Sequence, residues 1–139
     1  MKKTTLDKIK TMLADFFQRQ AEIEIAYIFG SIARGTESAL SDIDIAILID
    51  DQQINDDKFR YGYKAEILAD LMKILKTNNV DLVILNEANT LLRHRVLYHG
   101  RLIYSKNEKK RIEFQTNTID KYIDFKELMK PHFNAGGLH

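Results

Sequence analysis

The feature that most constrains the fold is an apolar run, residues 43–49, with aspartates at and just before its start. Asp42 comes directly before Ile43, and Asp44 follows it within the run Ile-Asp-Ile-Ala-Ile-Leu-Ile. Runs rich in β-branched residues and bounded by turn-forming or acidic residues are typical of strands. Because side chains alternate between the faces of a strand, the two aspartates should share one face and the isoleucines the other. The pattern predicts a strand with an apolar face and a pair of carboxylates about 6.5–7 Å apart at their Cα atoms.

Two carboxylates on one face of a strand repel each other, and a bound cation would remove that repulsion. Mg²⁺ suits such a pair, because it typically takes one or two carboxylates and leaves its other positions to water and substrate phosphates. A pair of solvated acids at the start of an ordinary strand is the alternative. The Asp42-x-Asp44 pattern alone does not decide between these two interpretations.

A second strand, Ile23–Phe29, is predicted directly before the pair Gly30-Ser31, and a short helix-forming piece follows that pair. A strand that leads through Gly-Ser into a helix presents backbone N–H groups that can bind phosphate. Gly30 allows close approach of the backbone, Ser31 adds a hydroxyl, and Arg34 adds a cation with two parallel donors. A simple turn between strand and helix is the alternative.

Taken together, these residues resemble the signature of the polymerase-beta-like nucleotidyltransferase superfamily. The motif consists of Gly30-Ser31, ten intervening residues and Asp42-x-Asp44, and the order of elements is similar up to about Tyr104. The short chain resembles the minimal branch of that superfamily, which includes the MntA-type adenylyltransferase antitoxins that accompany HEPN-domain toxins. The family pattern also has a third carboxylate on a later strand, and Asp81 in the apolar run 80–85 matches it.

The resemblance implies an α/β (α+β) fold, with a mixed sheet of about four strands flanked by helices and a C-terminal helix. It implies nucleotidyl transfer from ATP, supported by two Mg²⁺ ions or, alternatively, Mn²⁺. Two such ions can stabilise both the attacking and the leaving oxygen of an in-line displacement. The implied catalytic and metal-binding residues are Asp42, Asp44 and Asp81, and the implied nucleotide-binding residues are Gly30, Ser31 and Arg34.

The acceptor implied by the resemblance is a tyrosine hydroxyl on a cognate HEPN toxin, whose ribonuclease site the added AMP would silence through charge and bulk. A small-molecule acceptor such as an aminoglycoside, another protein, and an antitoxin that acts by occlusion are the alternatives. Transferases for small molecules usually need a second domain, whereas here only a helix and a tail follow the predicted sheet. The formal net charge is only +1. The chain therefore lacks the excess of basic residues that would indicate direct binding to nucleic acid.

The chain length suits one domain. We expect a catalytic domain in residues 1–105, a helix packed on it in residues 106–130, and a flexible tail in residues 131–139. Helices are predicted at about 5–20, 58–76, 89–97 and 107–130, and a last strand at 101–104. Asn89 is predicted to cap the third of these helices and Gly100 to close it.

The third predicted helix carries the run Arg93-His94-Arg95. Exposure to water is the simplest expectation for each of these residues, with a nucleotide or partner contact as the alternative. No apolar run approaches the ~18 residues of a membrane span, and no signal-peptide core is present at the N-terminus. The absence of cysteine fits a reducing cytoplasm, where we expect the protein to act.

Overall fold

A computed structural model describes residues 4–38, 41–55, 57 and 62–135, with side chains to residue 130. Within these residues the chain forms four strands and five α-helices. In chain order they are α1 (Thr5–Arg19), β1 (Ile23–Phe29), α2 (Ser31–Arg34), β2 (Ile43–Ile49), α3 (Lys64–Leu75), β3 (Val80–Ile84), α4 (Thr90–His99), β4 (Arg101–Ser105) and α5 (Glu108–Ala135). A single 3₁₀ turn, Asp51–Gln53, follows β2. The predicted fold class, including the C-terminal helix, is confirmed.

The four strands form one sheet in the order β3-β2-β1-β4. Strand β1 pairs antiparallel with both β2 and β4, whereas β2 pairs parallel with β3. This is the mixed sheet of about four strands that the family resemblance implied. Strand β2, which carries Asp44, lies inside the sheet and is hydrogen-bonded to a neighbour along both edges.

Helices α1 and α3 cover one face of the sheet. Leu13 and Phe17 of α1 and Leu71 of α3 are fully buried in a cluster with Ile45 and Ile47 of β2. The isoleucines of β2 therefore face this cluster, as the alternation in the sequence predicted. Burial of such side chains stabilises the fold by about 1.5–3 kcal/mol each.

Helices α4 and α5 cover the other face. Val96 of α4 and Phe114 of α5 are buried in a second cluster with Tyr27 of β1 and Ala46 of β2. Ala46 lies two residues from Asp44 on the same strand, so the Asp44 side chain projects from this second face. Helices α4 and α5 thus partly cover the face of the sheet that carries the carboxylates.

Helix α4 begins after the predicted cap, Asn89, and stops before the predicted terminator, Gly100, although it runs two residues beyond the predicted end near residue 97. The Asn89 side chain accepts a hydrogen bond from the Leu92 amide, at 2.9 Å, and caps the first turn. Gly100 follows the last helical residue, and a Cβ there would stand 2.3 Å from the Val96 carbonyl oxygen and 3.1 Å from that of Ile28. A larger residue at this position would therefore collide with both the helix and β1.

Helix α5 is longer than the sequence predicted. It continues to Ala135, so the predicted end at residue 130 is wrong, as is the expectation of a tail for residues 131–135. The helix continues through Pro131, although a proline lacks the amide donor that other residues supply to a helix. Residues 58–61, the predicted start of the second long helix, and residues 136–139 lie outside the described residues. None of the described helices is long and apolar enough to cross a membrane.

Candidate active site

Asp44 and Asp81 are partners in the parallel pairing of β2 with β3. Side chains of paired residues on neighbouring strands project from the same face of a sheet. The structure thereby brings together two acids that are 37 positions apart in the sequence. Asp42 lies just before β2 and is exposed, whereas Asp44 is half-buried. All three predicted carboxylates therefore lie at one end of the sheet.

The electrostatics of this acidic group are unfavourable without a counter-ion. Burial raises the pKa of the Asp44 carboxyl, and the neighbouring charges of Asp81 and Asp42 raise it further. The positive charge of Arg34 lowers the pKa of Asp44. This predicted nucleotide-binding residue is therefore close enough to Asp44 to interact with it electrostatically. The negative charge of Asp44 is thus held at a free-energy cost that a cation or a cationic ligand group would lower.

Gly30 lies directly against Asp44. Its φ of 75° and ψ of −153° fall in a region that only glycine adopts readily. A Cβ at this position would stand 2.2 Å from Oδ2 of Asp44. Phe29, the residue before Gly30, is the β1 partner of Asp44 in the sheet. The backbone at the end of β1 therefore packs directly against the Asp44 side chain of β2.

Ser31 begins α2, a single turn that ends at Arg34. The Ser31 carbonyl oxygen accepts a hydrogen bond from the Thr36 amide, at 2.9 Å, which folds the following loop back onto the turn. The first amides of a helix have no intrahelical acceptor, so this turn offers N–H donors beside the carboxylates. A helix this short contributes little macrodipole, so an anion placed here would depend on the local N–H donors and the Ser31 hydroxyl.

The donor set fits a hard divalent cation, because it consists of carboxylate oxygens whose mutual repulsion a cation would relieve. The side chains are not yet gathered around a common point: among the described residues no three acidic or histidine side chains form a ready metal-binding group. Oδ1 of Asp81 instead accepts a hydrogen bond from the Leu82 amide, at 3.0 Å. Ligation by Asp81 would use its other oxygen or a rotated side chain.

The Arg93-His94-Arg95 run of α4 divides into three different environments. Arg93 donates through Nε to the Leu85 carbonyl, at 2.8 Å, and through Nη2 to that of Asn86, at 3.0 Å. The expectation that it faces water is therefore wrong, because two carbonyls of the turn after β3 draw it inward. His94 is half-buried against Tyr122 of α5, and only Arg95 is exposed.

Sequence reasoning did not find the contact between α4 and α5 that holds His94. The sequence carries only a weak signal for this contact: His94 and Tyr98 are four residues apart on α4, as are Tyr122 and Lys126 on α5. Such spacing places each pair on one helix face, but it does not reveal which two faces meet.

A profile of the family described as Polymerase beta, Nucleotidyltransferase matches residues 11–109, more than two thirds of the chain. The chain belongs to the polymerase beta nucleotidyltransferase family. The matched segment contains the Gly30-Ser31 loop and the three carboxylates. The resemblance seen in the sequence is thereby confirmed.

Among the relatives of this nucleotidyltransferase is a Protein adenylyltransferase MntA of Shewanella oneidensis. The two sequences are 30% identical over 122 residues, which cover 88% of this chain and 80% of the relative. The likeness therefore extends over most of both proteins, beyond the motif itself. On this identity and coverage, the chain is a member of the MntA group within the family.

Solved structures show the same likeness. A chain in a crystal structure of a toxin–antitoxin with AMP-PNP is 28% identical, with a TM-score of 0.69, over 94% of this chain and 97% of that one. A chain in a rebuilt structure of the tri-AMPylated Shewanella oneidensis HEPN toxin with its MNT antitoxin has a TM-score of 0.67 at 23% identity, over 94% of this chain and 98% of that one. The latter likeness is one of fold alone.

Proposed function

We propose that this nucleotidyltransferase transfers AMP from ATP to a tyrosine hydroxyl of a cognate HEPN-domain toxin and thereby neutralises the toxin, as the antitoxin of a type VII system. The observation that carries the proposal is the pairing of Asp44 with Asp81, with Gly30 packed against Asp44. The name of the Shewanella relative, a protein adenylyltransferase, supports the reaction. The toxin–antitoxin structure with AMP-PNP supports both the donor and the partner.

In this proposal the loop at the end of β1 binds the triphosphate. Backbone N–H groups at Gly30 and Ser31, together with the Ser31 hydroxyl, donate to the β- and γ-phosphate oxygens. The absence of a side chain at Gly30 leaves room for the Asp44 carboxylate directly beside this backbone, so phosphate and cation would bind next to each other. Arg34, which is exposed one turn later, adds a positive charge on the same side.

Asp42, Asp44 and Asp81 would hold the divalent cations, for which we propose Mg²⁺. When bound, these ions neutralise charge on the triphosphate and on the attacking oxygen. The tyrosine oxygen attacks the α-phosphorus, a new P–O bond forms, and the bond to the β-phosphate oxygen breaks to release pyrophosphate. Asp81 accepts the hydroxyl proton, and general-base help of this kind is typically worth about 10²–10⁴-fold.

A protein acceptor suits the exposed position of two of the carboxylates, Asp42 and Asp81. A partner protein would bring its own surface to the open end of the sheet that carries the carboxylates. AMP on its tyrosine would add a negative charge and considerable bulk. We place this reaction in the cytoplasm.

A labelling reaction tests the proposal. Purified protein, Mg²⁺, α-labelled ATP and the cognate HEPN protein should yield label on the HEPN protein, and mass spectrometry should locate AMP on a tyrosine. The Asp42→Asn/Asp44→Asn double variant should give no label. Asp120→Asn, a matched change at an exposed acid on α5, should label like the wild type.

Other outcomes have distinct meanings. ATP consumed into a labelled small product, with no protein label, would overturn the protein acceptor in favour of a small molecule. Neutralisation of the toxin without any turnover of ATP would instead indicate an antitoxin that acts by occlusion. Label retained by the double variant would remove the carboxylates from the mechanism.

A further inference from the structure

A groove of about 490 Å³ lies between α4 and α5. Val96 of α4 points into the core, whereas the groove is lined by residues on the outer side of that helix, among them Arg95 and Tyr98. None of Gly30, Ser31 and the three carboxylates lines it. The volume lies within the range of small-molecule sites. The α4–α5 groove is therefore a cavity separate from the candidate active site.

Three aromatic rings stack on one another in the groove. His94 stacks on Tyr122, with ring centroids 3.5 Å apart and planes 9° from parallel. On α4 itself, His94 also stacks on Tyr98, with centroids 5.8 Å apart and planes at 22°. Tyr98 is nevertheless 74% exposed, a large value for an aromatic side chain. Its ring therefore offers a surface on which a planar ligand can stack.

The charges in the groove have one sign. Arg95, Lys126, His94 and His99 line it, and no carboxylate is among its lining residues. The pKa of His94 is lowered by burial first, and then by the nearby His99 and Lys126. Lys126 also lies 5.8 Å from the centroid of the Tyr122 ring. An anionic group bound here would be attracted by two permanent cations with no competing acid at the site.

An exposed aromatic ring beside paired cations is the combination that recognises a base and its phosphate. We propose that the α4–α5 groove binds an adenylate group, with the purine stacked on Tyr98 and the phosphate held between Arg95 and Lys126. The site is distinct from the one that binds the donor nucleotide. The choice of adenine among the bases rests on the proposed function.

Two sources can supply this chemistry. One is free AMP or ATP, for which the groove would be a second nucleotide site. The other is the AMP-tyrosine of an acceptor that has already been modified, for which the groove would retain the product. Both present the same purine and a phosphate oxygen anion, so the same residues would bind them.

Calorimetric titration of the full chain with AMP in EDTA tests the groove apart from the metal-dependent site. We expect binding to the wild type and equally to Asp44→Asn, because the groove needs neither metal nor the catalytic carboxylates. Tyr98→Ala and Arg95→Gln should each weaken binding by about tenfold. Lys121→Gln, a change at an exposed lysine of α5 outside the groove, is the matched control and should bind normally.

Titration with a short AMP-tyrosine peptide then separates the sources: tighter binding than that of AMP identifies the modified acceptor, and equal binding identifies the free nucleotide. No binding of AMP in EDTA, or unchanged affinity in both groove variants, would overturn the proposal. So would competition by inorganic phosphate at the same concentration as AMP, since the ring would then contribute nothing. The labelling reaction does not depend on this result, so either inference can fail alone.

Discussion

Gly30 and Asp44 share one small volume: the place where a Cβ of Gly30 would stand is 2.2 Å from Oδ2 of Asp44. The loop proposed to bind phosphate and the strand that carries the carboxylates are therefore fitted to each other. Any side chain on the loop glycine would displace the carboxylate.

Replacement of this glycine should impair both stability and activity. Gly30→Ala adds a Cβ that collides with Asp44 and forces alanine into a glycine-only region of backbone conformation. We expect a loss of about 1–3 kcal/mol in the free energy of unfolding. Urea denaturation measures this loss, and the labelling reaction should fall at least tenfold.

Gly35→Ala is the matched control. Gly35 also has a positive φ, 73°, but a Cβ there would meet nothing within 4 Å. We expect a cost of about 1 kcal/mol from the left-handed backbone and little change in labelling. Equal losses of activity in the two variants would show that the contact with Asp44 is unimportant.

Asp44→Asn should separate stability from activity. The change removes a negative charge that burial, Asp81 and Asp42 disfavour, so the metal-free protein should melt at a higher temperature than the wild type at neutral pH. Labelling should fall by more than about a hundredfold. Thermal unfolding in EDTA provides the measurement of stability.

The pH dependence of this gain follows from the raised pKa of Asp44. In the folded protein the ionised carboxylate is disfavoured, so the wild type loses stability as the pH rises through the folded-state pKa. The advantage of Asp44→Asn should be full above that pKa and vanish below the ordinary carboxyl pKa of about 4. A gain in stability that stays constant across this interval would show that ionisation of Asp44 is not its cause.

Asp81→Asn should lower the rate of transfer more than it lowers the affinity for ATP. Its Oδ1 can keep the hydrogen bond from the Leu82 amide, since an amide oxygen accepts equally well, so the strand should remain intact. The rate should fall by about 10²–10⁴-fold. Single-turnover labelling and ATP titration separate the two effects, and loss of ATP binding itself would assign Asp81 a different role.

Arg93→Met should destabilise the fold with no direct effect on chemistry. Arg93 donates to the Leu85 and Asn86 carbonyls, and its guanidinium lies 5.8 Å from the centroid of the Phe114 ring. We expect a loss of about 1.5–3 kcal/mol on urea unfolding, because two carbonyls lose a charged donor. Arg95→Met, on the exposed side of the same helix, should unfold like the wild type.

Local patterns were sufficient to predict most of the individual helices and strands. Alternation along β2 indicated which face Asp44 shares with Asp42, and the Asn89 cap and Gly100 marked the ends of α4. Each of these signals depends on neighbours within a few residues. The predicted helix boundary at Pro131 is wrong, since α5 continues through the proline to Ala135, and the local pattern gave no sign of this.

Contacts between residues that are far apart in the sequence were harder to predict. The family pattern suggested Asp81, but only the register of β2 with β3 sets it beside Asp44. The inward turn of Arg93 depends on carbonyls exposed by the turn after β3, and periodicity does not report them. Likewise, Ile112, Ile119 and Ile123 of α5 are 53%, 42% and 53% exposed, although the helix in residues 106–130 was expected to pack on the catalytic domain.

The central position of β2 has a practical consequence for anyone who prepares this protein. A slip of one residue against its neighbours would turn Asp44 into the cluster beneath α1 and α3 and drive the isoleucines out of it. A mispaired molecule would therefore be catalytically silent as well as unstable. Specific labelling activity should thus count correctly assembled molecules, and can serve as an assay of refolding yield in which misassembled protein contributes no background.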